Sequence, residues 1–161
     1  MTRGQLILCE QAEKWLAGMR RQCERHRPPA QWVRVGQVRS LDDARSMLDR
    51  WPESLLAIEV TTDRFARILE AVPPLTRCFP RMIWIALDAS ALGAASRGLR
   101  EAGALHVAAS PRDLAPVIDL AVRHLRPPPL PHSWMTDPIR EQLDRTRPAG
   151  RTGRPGRDGL S

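Results

Sequence analysis

Short runs of apolar residues alternate along this chain with segments in which apolar residues recur at intervals of three and four. The short runs are typical of buried strands, and the wider spacing is typical of amphipathic helices. This alternation predicts βαβ units around a parallel sheet, because parallel strands need a crossover connection, usually a helix. Five strand segments are expected, at residues 5–9, 32–35, 54–60, 82–87 and 104–109. We therefore predict one α/β domain spanning residues 4–126.

Capping residues and prolines predict where the helices begin and end. Serine, threonine and aspartate can accept hydrogen bonds from the first amides of a helix, and proline disrupts a helix interior. The expected caps are Ser40 with Asp43, Thr61 or Thr62, and Asp113. The expected breaks are Pro28-Pro29 after the first helix and Pro73-Pro74 after the third.

The composition changes after Arg126. Residues 126–131 have the composition of a polyproline linker, and residues 148–161 are mostly proline, glycine and arginine. We predict that residues 127–161 form a largely disordered tail. Trp134, within it, either packs on the domain or anchors a partner, and the sequence favours neither.

The charge of the chain permits a polyanion partner. The chain of 161 residues carries a formal net charge of +7, and Lys14 is the only lysine among 25 basic residues. Such arginine preference is typical of a biased genome, and most of the bases are scattered. A patch is expected in the first helix, made of Arg20, Arg21, Arg25 and Arg27. With the arginine-rich tail, this patch supports nucleic-acid binding as an alternative function.

The cysteines and the hydropathy indicate a cytoplasmic protein. Cys9, Cys23 and Cys78 are odd in number and form no C-x-x-C pair, so neither a disulfide framework nor a zinc site is predicted. No apolar run approaches the roughly 20 residues that cross a bilayer. We expect no membrane insertion, no metal and no cofactor.

Polar residues end four of the predicted strands: Glu10, Glu59, Asp88 and Ser110. In a doubly wound sheet, ligand sites lie at the carboxyl ends of the strands. These residues are therefore the candidate site. A cluster of the three carboxylates that binds a metal or acts in acid-base chemistry remains an alternative.

Residues 102–111 (AGALHVAASP) resemble a stretch of the response-regulator receiver family, in which a Gly-Ala turn leads through the fifth strand to a Lys-Pro pair. The order and spacing of the elements agree with that family over about 120 residues. The resemblance implies a flavodoxin-like (βα)5 sheet of strand order 2-1-3-4-5.

The resemblance also allows the phosphorylation site to be compared position by position. Glu59 stands at the phosphate-accepting aspartate, Glu10-Gln11 at the acidic pair that holds Mg²⁺, and Asp88 at a hydroxyl residue. Ser110 replaces the lysine, and Val107 replaces the switching aromatic. We expect little or no phosphorylation, since transfer depends on accurate in-line positioning. Glu59 is then either a built-in phosphate mimic or the polar relic of an unused pocket.

The function predicted from the resemblance is a degenerate receiver that acts without catalysis, as a protein-interaction or signalling adaptor module. Its interaction face, for a partner or a second copy, is expected on the fourth helix, fifth strand and fifth helix. The candidate residues of this face are Ala91, Ala94, Arg97, His106, Arg112 and Arg123. A phosphorelay receiver with an atypical acceptor remains a further alternative.

Overall fold

The computed structural model of the chain describes residues 4–26, 33–88 and 93–126. The predicted tail at 127–161, Trp134, Arg27 and Ala91 lie outside these ranges. The boundary between domain and tail therefore stays a prediction.

Five strands and five helices alternate along the described chain. The strands are β1 (Leu6–Cys9), β2 (Val35–Val38), β3 (Leu55–Val60), β4 (Ile83–Asp88) and β5 (Val107–Ala108). The helices are α1 (Lys14–His26), α2 (Leu41–Arg50), α3 (Phe65–Cys78), α4 (Gly93–Glu101) and α5 (Ala115–Leu125). The strands form one parallel sheet of order β2-β1-β3-β4-β5. The predicted flavodoxin-like fold is confirmed.

Both faces of the sheet are covered by helices. Leu55 and Ala57 of β3 point into the α1-side cluster, in which α1 and α5 pack on the sheet. Leu56 and Ile58 point into the α3-side cluster, formed with α2, α3 and α4. All six residues of β3 are buried. This double burial explains why the central strands are continuously apolar rather than alternating.

The prediction that Pro73-Pro74 ends the third helix is wrong, because α3 continues to Cys78 with both prolines inside it. The continuation carries Leu75 and Phe79 into the α3-side cluster, where both are buried. Burial of each such side chain stabilises by about 1.5–3 kcal/mol. That gain offsets much of the cost of an interior proline, about 3 kcal/mol.

The helix caps agree with the sequence at α2 and disagree elsewhere. The Ser40 hydroxyl accepts a hydrogen bond from the Asp43 amide at 3.1 Å and donates one to the Asp43 carboxylate at 2.7 Å. Thr61 and Thr62 do not cap α3, because the chain makes a further turn in which the Arg64 amide donates to the Thr61 carbonyl. Asp113 does not cap α5 either.

At α5, the Asp113 amide closes a turn onto the Ser110 carbonyl, and the buried Leu114 occupies the cap position. Pro116 lies in the first turn of the helix as expected.

The fifth strand is shorter than predicted and forms the edge of the sheet. Gly103, at φ +93°, turns the chain from α4 toward β5 in a conformation that favours glycine. The Leu105 amide then donates to the Trp84 carbonyl of β4. Within the described chain, no strand pairs with the outer side of β5.

Candidate functional site

The four predicted pocket residues lie at the carboxyl edge of the sheet. Glu10 directly follows β1, Glu59 is the penultimate residue of β3, and Asp88 ends β4. Ser110 lies two residues beyond β5. Glu10, Glu59 and Asp88 are all buried. The parallel topology thus brings to one edge residues that lie up to 100 positions apart in the sequence.

Glu10 caps the first helix. Its two carboxylate oxygens accept the backbone amides of Trp15 and Leu16, both at 2.9 Å. The Gln37 side-chain amide approaches the same carboxylate at 3.5 Å. The chain reaches this geometry through Glu13, whose φ of 56° places it in the left-handed region. That conformation costs a non-glycine residue about 1–2 kcal/mol, which indicates that the surrounding contacts hold the turn in place.

The electrostatics of Glu10 are set mainly by its burial. Removal of the carboxylate from water raises the pKa of Glu10, while the bonds from the Trp15 and Leu16 amides lower the pKa and Glu59 raises it further. Burial disfavours the charged form, and the amides compensate in part.

The Glu59 carboxylate contacts two groups of the segment that follows β1. One carboxylate oxygen accepts the Gln11 amide at 3.0 Å, and the other lies 3.4 Å from the Lys14 ammonium. The Glu59 side chain is 5% exposed and that of Lys14 44%. The cation comes from the first turn of α1, whereas the receiver resemblance implies a lysine after β5.

The sequence contained a signal for Lys14. It is the only lysine of the chain and the first residue of α1. A cation in a first turn is disfavoured by the helix dipole unless an anion compensates it. This position is the signal that could have indicated an acidic partner from another element.

Asp88, Ser110 and Val107 have different environments. Asp88 lies beside Val60 in the β3–β4 register, so it is offset by one residue from Glu59. The Ser110 hydroxyl accepts the Arg112 amide at 3.2 Å and helps to shape the turn into α5. Val107 is half-buried against the α3-side cluster. None of these three contributes a positive charge to the pocket.

The four predicted pocket residues do not converge on a metal position. Among the residues that the structure describes, no group of three or more histidine, cysteine, aspartate or glutamate side chains could hold a metal ion. The two Glu10 oxygens point at amides rather than at a common centre. The three-carboxylate metal alternative therefore finds no support.

The predicted interaction face is partly described. Arg97 is exposed and pairs with Glu101 at 3.0 Å, His106 is half-buried, and Arg123 is exposed. Ala94 lies in the first turn of α4, where only the backbone is described. Sequence reasoning missed Leu105. Among the described residues it is the large hydrophobic side chain that is exposed, at 54%.

The basic residues of α1 form a cleft with the loop that precedes α5. Arg21, Arg25 and Arg112 line a cavity of about 430 Å³ together with Gly18, Gln22 and Pro111. The Gln22 side chain donates to the Arg112 carbonyl at 3.2 Å. A Cβ on Gly18 would lie 2.4 Å from the Pro111 carbonyl oxygen, so only glycine permits this approach. Arg20 is exposed on the same helix but does not line the cleft.

No described helix is both long and apolar enough to cross a bilayer.

Comparison with known proteins identifies the fold. A CheY-like protein, TadZ, from Pseudomonas aeruginosa is similar with a TM-score of 0.61 and 17% identity, over 80% of this chain and 98% of that one. A pilus assembly-related protein from Burkholderia pseudomallei has a TM-score of 0.52 and 19% identity, over 79% and 96% of the two chains. The response regulator RcsB from Salmonella typhimurium has a TM-score of 0.55 and 16% identity, over 88% and 77%. The chain has a receiver-domain fold.

No protein-family model and no curated protein sequence matches the chain.

Proposed function

We propose that this chain is a degenerate receiver module that acts by binding another protein, without phosphorylation and without catalysis. The observation that carries the proposal is the internal use of its acidic pocket. The Glu10 oxygens are taken by two amides of α1, and the Glu59 oxygens by the Gln11 amide and Lys14.

This use of the oxygens opposes Mg²⁺ binding and phosphoryl transfer. A Mg²⁺ ion bound to both Glu10 oxygens would leave the Trp15 and Leu16 amides without acceptors, at a cost of about 1–3 kcal/mol for each buried group. At the accepting position, the Glu59 carboxylate already has a cation and an amide donor. A phosphoryl group would have to displace both. The position at which the receiver family has a lysine is occupied by Ser110, which brings no positive charge to a phosphoryl group.

Acetyl phosphate tests this proposal directly. The full chain, Glu59→Asp and Glu59→Gln are incubated with acetyl phosphate and Mg²⁺, and the intact mass is measured, with an active receiver as the assay control. We expect no mass increase by a phosphoryl group in any form of this chain. A phosphorylated wild type whose adduct disappears in Glu59→Gln would overturn the proposal in favour of the atypical-acceptor alternative.

The two interpretations of Glu59 also lead to different outcomes. As a phosphate mimic, Glu59 with Lys14 would hold the binding-competent state, so Glu59→Gln would weaken self-association or partner binding while the fold persists. As a relic, the same substitution would leave binding unchanged. Sedimentation and circular dichroism of the variant separate the two.

For the interaction surface, we propose the face formed by α4, β5 and α5. The support comes from the unpaired outer side of β5 and from Leu105, exposed next to it. Open strand edges and exposed apolar side chains favour contact with another chain. Ala91, Ala94, Arg97, His106, Arg112 and Arg123 remain its candidate contacts.

Leu105→Glu tests the face by placing a charge beside β5. We expect the variant to reduce dimer formation in sedimentation, or capture of a partner, by about tenfold, since a buried unpaired charge costs more than 1.4 kcal/mol. Ala66→Glu, at an exposed position of α3, is the matched control. Equal association by wild type and Leu105→Glu would move the interface elsewhere.

Polyanion binding is the second candidate, and the α1 cleft favours it. Arg21, Arg25 and Arg112 surround one cavity, and none of them has an ion pair with a described carboxylate. Nucleic-acid affinity would fall steeply with salt. A DNA and RNA titration that shows no salt dependence, or no loss in Arg25→Gln with Arg112→Gln, would remove this candidate.

We place the protein in the cytoplasm. Support comes from Cys9, Cys23 and Cys78, which are all free thiols in the structure.

A further inference from the structure

We propose that a small cavity lined by Arg39, Arg64 and Arg67 binds one tetrahedral oxyanion of the phosphate class. The cavity lies beside the connections that follow β1, β2 and β3, and Gln11, Ser40, Leu41 and Ile68 complete its lining. None of the four degenerate pocket residues lines it. Gln11, whose amide donates to Glu59, is the one position that the cavity shares with the degenerate phosphorylation site, and the inference goes beyond the proposed adaptor function.

The position of the cavity suits a ligand. In the strand order β2-β1-β3-β4-β5, the chain reverses direction across the sheet between β1 and β3. Doubly wound folds bind ligands at that switch point, outside the carboxyl ends of the strands. Here the lining residues follow β1, β2 and β3, the strands around the switch point.

Arg64 supplies the strongest argument. One terminal nitrogen of its guanidinium lies 3.9 Å from the Cys9 sulfur, which orients the group. The other terminal nitrogen is buried and has no hydrogen-bond partner. A buried charged donor without an acceptor is costly, and such groups indicate a missing ion or water. Because Arg64 lines the cavity while this nitrogen itself is buried, a small rotation of the guanidinium would bring the donor to an oxyanion bound there.

The remaining charges around the cavity favour an anion. Arg67 is exposed at the rim, one turn of α3 after Arg64, and no carboxylate lines the cavity. Arg39 is 3.6 Å from Glu13, an exposed pair that contributes little and can rearrange. Asp42 and Asp43 lie in the first turn of α2, and the Asp43 carboxylate accepts a hydrogen bond from the Ser40 hydroxyl at 2.7 Å.

Ser40 and Leu41 also place the beginning of α2 at the cavity. This ten-residue helix directs its positive dipole end toward the same space. Anions bind readily at helix N-termini. The dipole adds to the three guanidinium groups and does not act alone.

The size of the cavity selects a single oxyanion. Its volume is about 110 Å³, well below the roughly 300–1,000 Å³ of pockets that enclose a whole organic ligand. Arginine forks match the oxygens of phosphate in bidentate geometry. The lining offers no aromatic ring on which a nucleobase would stack. The recognised chemistry is thus the phosphate group itself, either free or as a monoester whose remainder lies in solvent.

Calorimetric titration of the full chain tests the proposal, with inorganic phosphate and adenosine monophosphate as probes at constant ionic strength. We expect saturable binding by the wild type and about tenfold weaker binding by Arg67→Gln and Arg64→Gln, as for the loss of one charged hydrogen bond. Arg25→Gln, in the α1 cleft, removes the same charge elsewhere and is the matched control. Tighter binding of the monophosphate indicates an ester ligand, and tighter binding of phosphate indicates the free ion; both support the site.

Three results would overturn the proposal. They are the absence of saturable binding to the wild type, unchanged affinity in Arg67→Gln, and an equal loss of affinity in Arg25→Gln. Arg64 is partly buried, so its variant is checked by circular dichroism; the exposed Arg67 keeps the test decisive if Arg64→Gln does not fold. The reversible heat of binding is distinct from the covalent mass increase that tests the adaptor proposal, so the two can fail separately.

Discussion

Glu10 and Glu59 are carboxylates whose oxygens bind groups of the protein itself. Both lie at the carboxyl edge of the sheet, where the receiver resemblance implies metal binding and phosphate acceptance. Glu10 instead holds the first amides of α1, and Glu59 holds Lys14 and the Gln11 amide. Both side chains therefore stabilise the β1–α1 connection through hydrogen bonds, and Glu59 also through an ion pair.

Glu10 gives the protein a specific dependence of stability on pH. Because burial raises the pKa of Glu10 in the folded state, the folded chain binds its proton more tightly than the unfolded chain does. The resulting contribution to stability is complete below the unfolded pKa, about 4.3 for glutamate, and is lost as the pH rises through the folded value. Urea unfolding of wild type and Glu10→Gln, repeated across the range from pH 4 to pH 8, measures how the free energy of unfolding changes with pH.

The difference in unfolding free energy between wild type and Glu10→Gln should therefore decline as the pH rises. Glu10→Gln has a second effect that does not depend on pH. The NH₂ group of the glutamine faces one buried backbone amide of α1, which lowers the free energy of unfolding by about 1–3 kcal/mol. Glu24→Gln, on the exposed side of α1, is the control and should show neither effect. A difference that grows with pH across this window would contradict the assignment.

The Lys14–Glu59 pair is expected to couple weakly but measurably. Lys14 is 44% exposed, so solvent screens the pair and the coupling should be about 0.5–1 kcal/mol. A double-mutant cycle with Lys14→Met and Glu59→Gln measures it through urea unfolding. The cycle of Arg20→Met with Glu59→Gln should give no coupling, and equal values for the two cycles would refute a specific pair.

At the scale of elements, α3 departs most from its sequence signals. Two adjacent prolines would end an isolated helix, yet α3 runs four residues beyond Pro74. The contacts of Leu75 and Phe79 with the α3-side cluster decide the outcome, and local propensity does not. Tertiary burial can override a strong local signal when the segment beyond it carries large apolar residues.

Pro73→Ala should stabilise the protein by about 1–2 kcal/mol. The substitution restores an amide that can donate within α3, worth up to about 3 kcal/mol, and returns about 0.4–1 kcal/mol of entropy to the unfolded chain. Thermal and urea unfolding measure the net effect. Pro116→Ala is the matched control, since Pro116 lies in the first turn of α5 where its missing amide is not needed. Equal gains at the two positions would contradict this account.

For the whole molecule, two apolar clusters lie on either side of one sheet within the described residues. One cluster is built with the first and last helices, α1 and α5, and the other with the three helices between them, α2, α3 and α4. Such long-range packing favours cooperative unfolding of the sheet and its helices together.

A chain that ends at residue 126 should therefore fold like the full chain. We expect a single unfolding transition with Tm within about 3 °C of the full-length value, which corresponds to less than 1 kcal/mol. A chain that ends at residue 113, before α5, is the control and should not fold, because it lacks Val117, Ile118 and Ala121 of the α1-side cluster. A large loss of stability at residue 126 would show that the tail contributes to the domain.

The sequence by itself determined the fold class, the order of the ten elements, the Ser40 cap of α2 and the polar residues at the ends of β1, β3 and β4. These features depend on apolar periodicity and on contacts between near neighbours, which a linear pattern records. The Glu59–Lys14 contact, the capping of α1 by Glu10, the survival of α3 past its prolines and the arginine cavity were decided by the tertiary structure. Each depends on how strands and helices distant in sequence are brought together at the carboxyl edge or pressed onto the core, where burial and charge outweigh local preference.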